Sequence, residues 1–168
     1  MDTSIVRLGL IGAGKWGQNY IRTLKMLKTA KLIKIASRHN EASKFIDDEC
    51  KIISNWKDVA SSRELDGIII ATPPSSHLKI AKFAIEHGKN LIIEKPLSLN
   101  FEEAKEFLMF AKGKNLQIKV NHIHLYHPAF RVIKSISKIY KIKSIYSKGG
   151  SNGPFRSDIR ALWDWGVH

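Results

Sequence analysis

The chain has 168 residues, with 28 Lys or Arg against 15 Asp or Glu, a formal net charge of +13; that length allows one domain with a real core and falls short of two of ordinary size. A single cysteine, Cys50, excludes an intrachain disulfide framework and a cysteine metal site, and with neither a leader nor a membrane-spanning apolar run, a reducing cytoplasm and no membrane partner are expected. The lysines are scattered as on solvated faces, from Lys25, Lys28, Lys31 and Lys34 to Lys134, Lys138 and Lys141, and no nucleic-acid motif accompanies them, so no nucleic-acid partner is expected.

The first element is a nearly continuous apolar run, Ile5 to Ile11, which suits a parallel strand covered on both faces. Gly12-Ala13-Gly14-Lys15-Trp16-Gly17 follows at once, and then Tyr20, Ile21, Leu24 and Leu27 fall at helical spacing. Glycines also punctuate ordinary loops, but between a strand and a helix this spacing points to a dinucleotide's diphosphate. Gly12 permits the tight turn, Gly14 lets the ligand approach the backbone, and Gly17 lets the helix pack closely on the strand. The first helical N–H groups then face the anion.

A second strand over Lys31 to Ser37 ends where the ribose should lie. An NAD-preferring site usually places a carboxylate there, whereas Ser37 can donate to a 2′-phosphate and Arg38 can lie against its charge. The cofactor is therefore NAD or NADP, with NADP favoured; the simpler alternative is that Arg38 stacks on adenine or points to solvent. Glu41 to Glu49 reads as a helix, Lys51 to Ile53 as a short strand, and another helix starts near Asn55. Asp66 to Ala71 is a buried strand ended by Thr72-Pro73-Pro74, a stiff loop at the carboxyl end, where ligands bind in doubly wound sheets.

His77 to His87 reads as a helix with Leu78, Ala81, Phe83, Ala84 and Ile85 as its core and Gly88 as its cap. Asn90 to Ile93 is the next strand and stops at Glu94-Lys95-Pro96. Asn100 caps a further helix, with a carboxylate three residues on, and Ala104, Phe107, Leu108 and Ala111 form its apolar face. Leu116 to Val120 closes an alternation that specifies an α/β fold, a Rossmann doubly wound parallel sheet over residues 1–121. Residues 122–168 change character: a helix over Phe130 to Tyr140, a strand over Ile142 to Ser147 and a glycine-rich link read as the start of an incomplete α+β substrate domain.

Lys95, at a strand's carboxyl end, can exchange a proton beside a cofactor, although a surface lysine is the simpler reading of that position alone. Asp164 and His168 are four apart and share a helix face; spacing alone favours a surface ion pair over an oriented base. His122, His124 and His127 have no acidic or cysteine cluster to complete a metal site, so no metal is expected.

Together these stretches resemble the Gfo/Idh/MocA family of NAD(P)-dependent oxidoreductases. The likeness runs through Gly12 to Gly17, Ala71 to His77, Glu94-Lys95-Pro96 and Asp164-Trp165-Gly166-Val167-His168, and the Glu-Lys-Pro tripeptide is its most specific part. The resemblance implies Lys95, Asp164 and His168 as the catalytic set. It implies a cofactor site of Gly12, Gly14, Lys15, Trp16, Gly17, Ser37, Arg38, Thr72, Pro73, His77, Glu94 and Lys95. Val120-Asn121-His122, Tyr126-His127-Pro128-Ala129 and the Leu162 to His168 segment look like a branch acting on sugars and nucleotide sugars. Ile123 and Leu125 stand where members often carry Asn and Arg, so no substrate contact carries over from those two positions. The implied reaction is hydride transfer between a secondary alcohol carbon and nicotinamide.

In that reading His168 is the first choice to accept the hydroxyl proton, with Asp164 orienting it and Lys95 stabilising charge on the same oxygen, and Lys95 is the alternative carrier of that proton. The family continues beyond this point with a sheet that walls the substrate pocket and mediates oligomerisation. The expectation for this chain is thus a cofactor-binding fragment with little turnover, and a homo-oligomer for a full-length member. The alternative is a non-catalytic dinucleotide-binding sensor or regulatory module.

Overall fold

The structure, a computed structural model, describes residues 5–37, 40–146, 148, 159–160 and 163. In chain order they form β1 (Val6–Ile11), α1 (Lys15–Met26), β2 (Ala30–Ala36), β3 (Lys51–Ile53), α2 (Trp56–Ala60) and β4 (Gly67–Ile70). These are followed by α3 (His77–Glu86), β5 (Asn90–Glu94), α4 (Phe101–Ala111), β6 (Ile118–Asn121) and α5 (Pro128–Ile136). The strands make a six-stranded sheet of order β3-β2-β1-β4-β5-β6, and the β1–β2, β1–β4, β2–β3 and β4–β5 pairs are parallel. This is the doubly wound arrangement, whose order reverses between β1 and β4.

Successive side chains on a strand point to opposite faces, and both faces here are apolar. Leu10 and Ile69 pack with Ile21 and Leu24 of α1 on one face. Ile11, Ile68, Ile70, Leu91 and Ile93 pack with Val59, Ile80, Ala84 and Phe107 on the other, under α2, α3 and α4. Each such side chain removed from water contributes about 1.5–3 kcal/mol, which is why every central strand reads as a continuous apolar run. The chain divides into two compact units, Met1–Val120 and Asn121–His168.

Helix caps explain several boundaries. Asn55 accepts from Lys57 N at 3.1 Å to start α2. Asn100 accepts from Glu102 N and Glu103 N at 2.8 and 3.3 Å to start α4. The carboxylate of Glu103 reaches back through a relay: the Ser98 hydroxyl donates to it at 3.0 Å, and Ser98 Oγ accepts from Asn100 N at 3.1 Å. Gly88, at φ 70°, supplies the left-handed residue after α3.

Four expectations need correction. The helix over Glu41 to Glu49 is a 3₁₀ segment, Asn40–Phe45, because Asp47 and Asp48 favour a turn that Cys50 N closes on the Asp47 carbonyl at 2.9 Å. In α3 the buried stripe includes Ile80, while Leu78 and Phe83 are half-buried and Phe83 meets Trp56 edge-on at 5.3 Å. In α4 the helical period turns Phe107 inward and leaves Leu108 60% exposed. Beyond β6, α5 starts at Pro128 with His127 Nδ1 accepting from Ala129 N at 3.3 Å, and of the strand expected over Ile142 to Ser147 residues 142–146 are not in a strand, while Ser147 lies outside the described residues.

Candidate dinucleotide site

The sheet register sets the site. Ile11 lies opposite Ala36 on one side and Ile70 on the other, and Ile70 lies opposite Ile93. The next residue of each strand therefore falls in one row: Ser37, Gly12, Ala71 and Glu94, with Lys95 one step further. Cross-strand bonds hold the row, with Gly12 N donating to the Ala36 carbonyl at 3.0 Å and Ala71 N to the Ile11 carbonyl at 2.8 Å. The glycine turn and Lys95 thus share the carboxyl edge of the sheet, at the switch point where doubly wound sheets bind ligands.

Each of the three glycines meets a different constraint. Gly12 has φ +97°, and a Cβ there would stand 2.6 Å from the Ala71 carbonyl oxygen. A Cβ on Gly17 would overlap the Gly12 carbonyl oxygen, so the helix can approach the turn only without one. At Gly14 a Cβ would meet nothing within 4 Å, so packing does not require glycine there. An exposed backbone left bare at the start of a helix is what an approaching diphosphate needs. Gly14 is the N-cap of α1 and supplies no side-chain cap, and the first turn has no acidic residue. The first-turn N–H groups are therefore left for a ligand or solvent, with the positive end of the helix dipole behind them. Lys15 and Trp16 stand exposed on that turn, Trp16 at 48%.

The Lys95 corner is built from buried polar side chains. Glu94 is 7% exposed; its Oε1 accepts from the Tyr20 hydroxyl of α1 at 2.6 Å, and its Oε2 accepts from Lys95 N at 3.3 Å. His77, at the start of α3, is fully buried, with Nδ1 2.9 Å from the Pro96 carbonyl and Nε2 2.8 Å from the Thr72 carbonyl. The Ser76 hydroxyl lies 2.7 Å from Thr72 Oγ1 and 2.8 Å from the Pro73 carbonyl, tightening the loop after β4. Lys95 itself is half-buried, Pro73 is exposed, and Ser37 is half-buried at the end of β2.

The fold thus brings Gly12, Gly14, Lys15, Trp16, Gly17, Ser37, Thr72, Pro73, Glu94 and Lys95 to one edge, with His77 beneath the two loops. Arg38, Asp164 and His168 lie outside the described residues. Sequence reasoning placed Tyr20 only in an apolar stripe and missed its bond to Glu94. The available signal was its hydroxyl, since a tyrosine on a core-facing stripe needs a polar partner. Among the described residues no group of three His, Cys, Asp or Glu could hold a metal ion, and no helix is long and apolar enough to cross a membrane.

A family model, that of the Gfo/Idh/MocA oxidoreductase family with an NAD-binding Rossmann fold, matches residues 6–122. The chain belongs to the Gfo/Idh/MocA family. The crystal structure of a Magnetospirillum magnetotacticum MS-1 protein classed as an oxidoreductase is 40% identical with a TM-score of 0.89, over 98% of this chain and 54% of that one. UDP-N-acetylglucosamine 3-dehydrogenase of Acidithiobacillus ferrooxidans is 28% identical over 77% of this chain and 41% of its own. The NADP(+)-linked scyllo-inositol 2-dehydrogenase IolW of Bacillus subtilis is 21% identical over 94% of this chain and 44% of its own. This Gfo/Idh/MocA chain spans between 32% and 46% of the length of the curated relatives it matches.

The residues present fit the dinucleotide that the family binds. The bare Gly14 backbone and the open first turn of α1 suit the diphosphate, and the row from Ser37 to Glu94 runs along the sheet edge on either side of it. Bound there, the nicotinamide would supply the hydride chemistry. The residues that would hold it are those of the glycine turn at one end and of the Glu94-Lys95 segment at the other.

Proposed function

We propose that this chain binds NAD or NADP across the carboxyl edge of its sheet and serves hydride transfer to or from a secondary alcohol carbon of a sugar or nucleotide sugar. The observation that carries the reading is the shared row: the glycine turn and Lys95 stand at the same edge on either side of the switch point, where one extended ligand reaches both. The names of the relatives, a UDP-sugar dehydrogenase and an inositol dehydrogenase, support the substrate class. Ser37, in the place of a ribose-binding carboxylate, supports NADP over NAD.

In this reading residues 1–121 are the dinucleotide-binding domain and 122–168 begin the substrate domain. Lys95 donates a hydrogen bond to the reacting oxygen, His168 takes or returns its proton and Asp164 orients His168, in a reducing cytoplasm suited to a chain with one cysteine. Titration with NADH and NADPH, followed by a panel of sugars and nucleotide sugars scored by nicotinamide reduction, tests it. Binding of both forms, tighter for NADPH, with little turnover by the 168-residue chain and reduction by at least one sugar once the chain is extended to full family length, is the expected result. Binding without reduction by any sugar even then leaves a dinucleotide-sensing module in place of an enzyme, and no binding removes the proposal.

A further inference from the structure

We infer that Tyr20 and His77 are a two-sided brace that sets the position of the Lys95 segment, and through it the hold on the nicotinamide end of the ligand. The inference rests on the dinucleotide reading above; it adds Tyr20 to that site and makes His77 a positioning residue within it. Lys95 lies just past the last residue of β5, where the sheet ladder no longer fixes the backbone. Among the contacts that hold it there is a polar side chain on each side. On the α1 face, the Tyr20 hydroxyl donates to the buried Glu94 carboxylate at 2.6 Å. On the α3 face, His77 lies 2.9 Å from the Pro96 carbonyl and 2.8 Å from that of Thr72.

The residue before Lys95 and the residue after it are thus fastened from opposite faces of the sheet. The ring sits between this segment and the loop after β4, the other loop of the ligand edge, and its single N–H donates to one of the two carbonyls while its other nitrogen only abuts the second. Neither side chain is an economical way to fill space: a phenylalanine or leucine would bury comparable volume without desolvating a hydroxyl or an imidazole. Buried polar groups with all partners in place hold a segment to one geometry, and no buried side-chain N or O atom among the described residues lacks a partner. Tyr20 meets Glu94 and His77 meets the Pro96 carbonyl, the two neighbours of Lys95 in the chain.

A ligand that uses only the glycine corner should therefore be indifferent to the brace, and one that reaches Lys95 should not. The test is calorimetric titration of the wild type, Tyr20→Phe, His77→Gln and the double variant with two kinds of ligand. ADP-ribose and its 2′-phosphate lack the nicotinamide; NADH and NADPH carry it. We expect each single variant to bind the whole dinucleotide about fivefold more weakly, the loss of one net hydrogen bond, and ADP-ribose within about twofold of wild type. The double variant should lose less than the product of the singles, because both act on one segment.

Parallel losses for both ligands, or no loss for either, overturn the brace. Failure of the wild type to bind any of the four ligands overturns the dinucleotide reading instead. Tyr20→Phe keeps the ring and its packing, so it decides the matter alone if thermal unfolding shows that His77→Gln does not fold.

Discussion

At the end of β1, backbone meets backbone: the Gly12 carbonyl lies where a Cβ on Gly17 would be, and Gly12 itself sits against the Ala71 peptide. At the end of β5, on the same edge, the space is filled by side chains: a buried glutamate, a tyrosine hydroxyl and an imidazole gathered round one lysine. The first corner is specified by atoms that must be missing and the second by polar atoms that must be present. They should therefore fail differently. Adding a methyl group injures the first, while removing a functional group injures the second with little change in packing.

The largest effect expected is at Lys95. Lys95→Met keeps most of the aliphatic stem and removes the ammonium, so in a chain extended to full family length sugar-dependent nicotinamide reduction should fall by about 10²–10³ while NADPH affinity falls only about fivefold, read by steady-state rates and titration. Equal losses in rate and affinity would erase the distinction between the corners. Next comes Gly17→Ala, whose new methyl group has only the Gly12 carbonyl to push against; denaturant unfolding should show about 1–3 kcal/mol of lost stability.

Gly14→Ala sharpens the contrast within the first corner, because nothing lies within 4 Å of the added group. Its stability should stay within about 0.5 kcal/mol of wild type while affinity for ADP-ribose falls about tenfold, since the methyl group stands where the diphosphate must come. A normal affinity would remove the diphosphate from that turn. The smallest effect is expected away from both corners: Asn100→Ala removes the α4 cap, costing about 1 kcal/mol in unfolding and leaving dinucleotide titrations unchanged.

The central strands were legible because burial on both faces forces continuous apolar runs, as in Gly67–Ile70, where all four residues are buried. The glycine corner was legible for a related reason: steric exclusion leaves a trace in residue type, and Gly12 and Gly17 each meet the atoms their roles require. Elements fixed by weaker forces were not. The Asn40–Phe45 segment gives a helical pattern whose outcome was decided by two aspartates at its end. Phe107 and Leu108 are adjacent apolar residues, and only the position of the sheet decides which one is buried. The brace was illegible because its partners are 74 residues apart for Tyr20 and Glu94 and 19 for His77 and Pro96, and no local pattern links them.

Cys50 offers a last consequence. Burial pushes its thiol up to about 11, with the Asp47 carboxylate adding to the rise and Lys25 opposing it. A proton held more tightly in the fold than in the open chain stabilises the fold below the open-chain thiol's titration range, and that share is lost as pH climbs toward 11. Near neutrality the sulfur stays protonated and enclosed, and it is the chain's one cysteine. Maleimide chemistry therefore starts from a silent background. A cysteine placed at exposed Ser75, on the loop after β4, would carry a fluorophore at the ligand edge in a protein otherwise blank to the reagent.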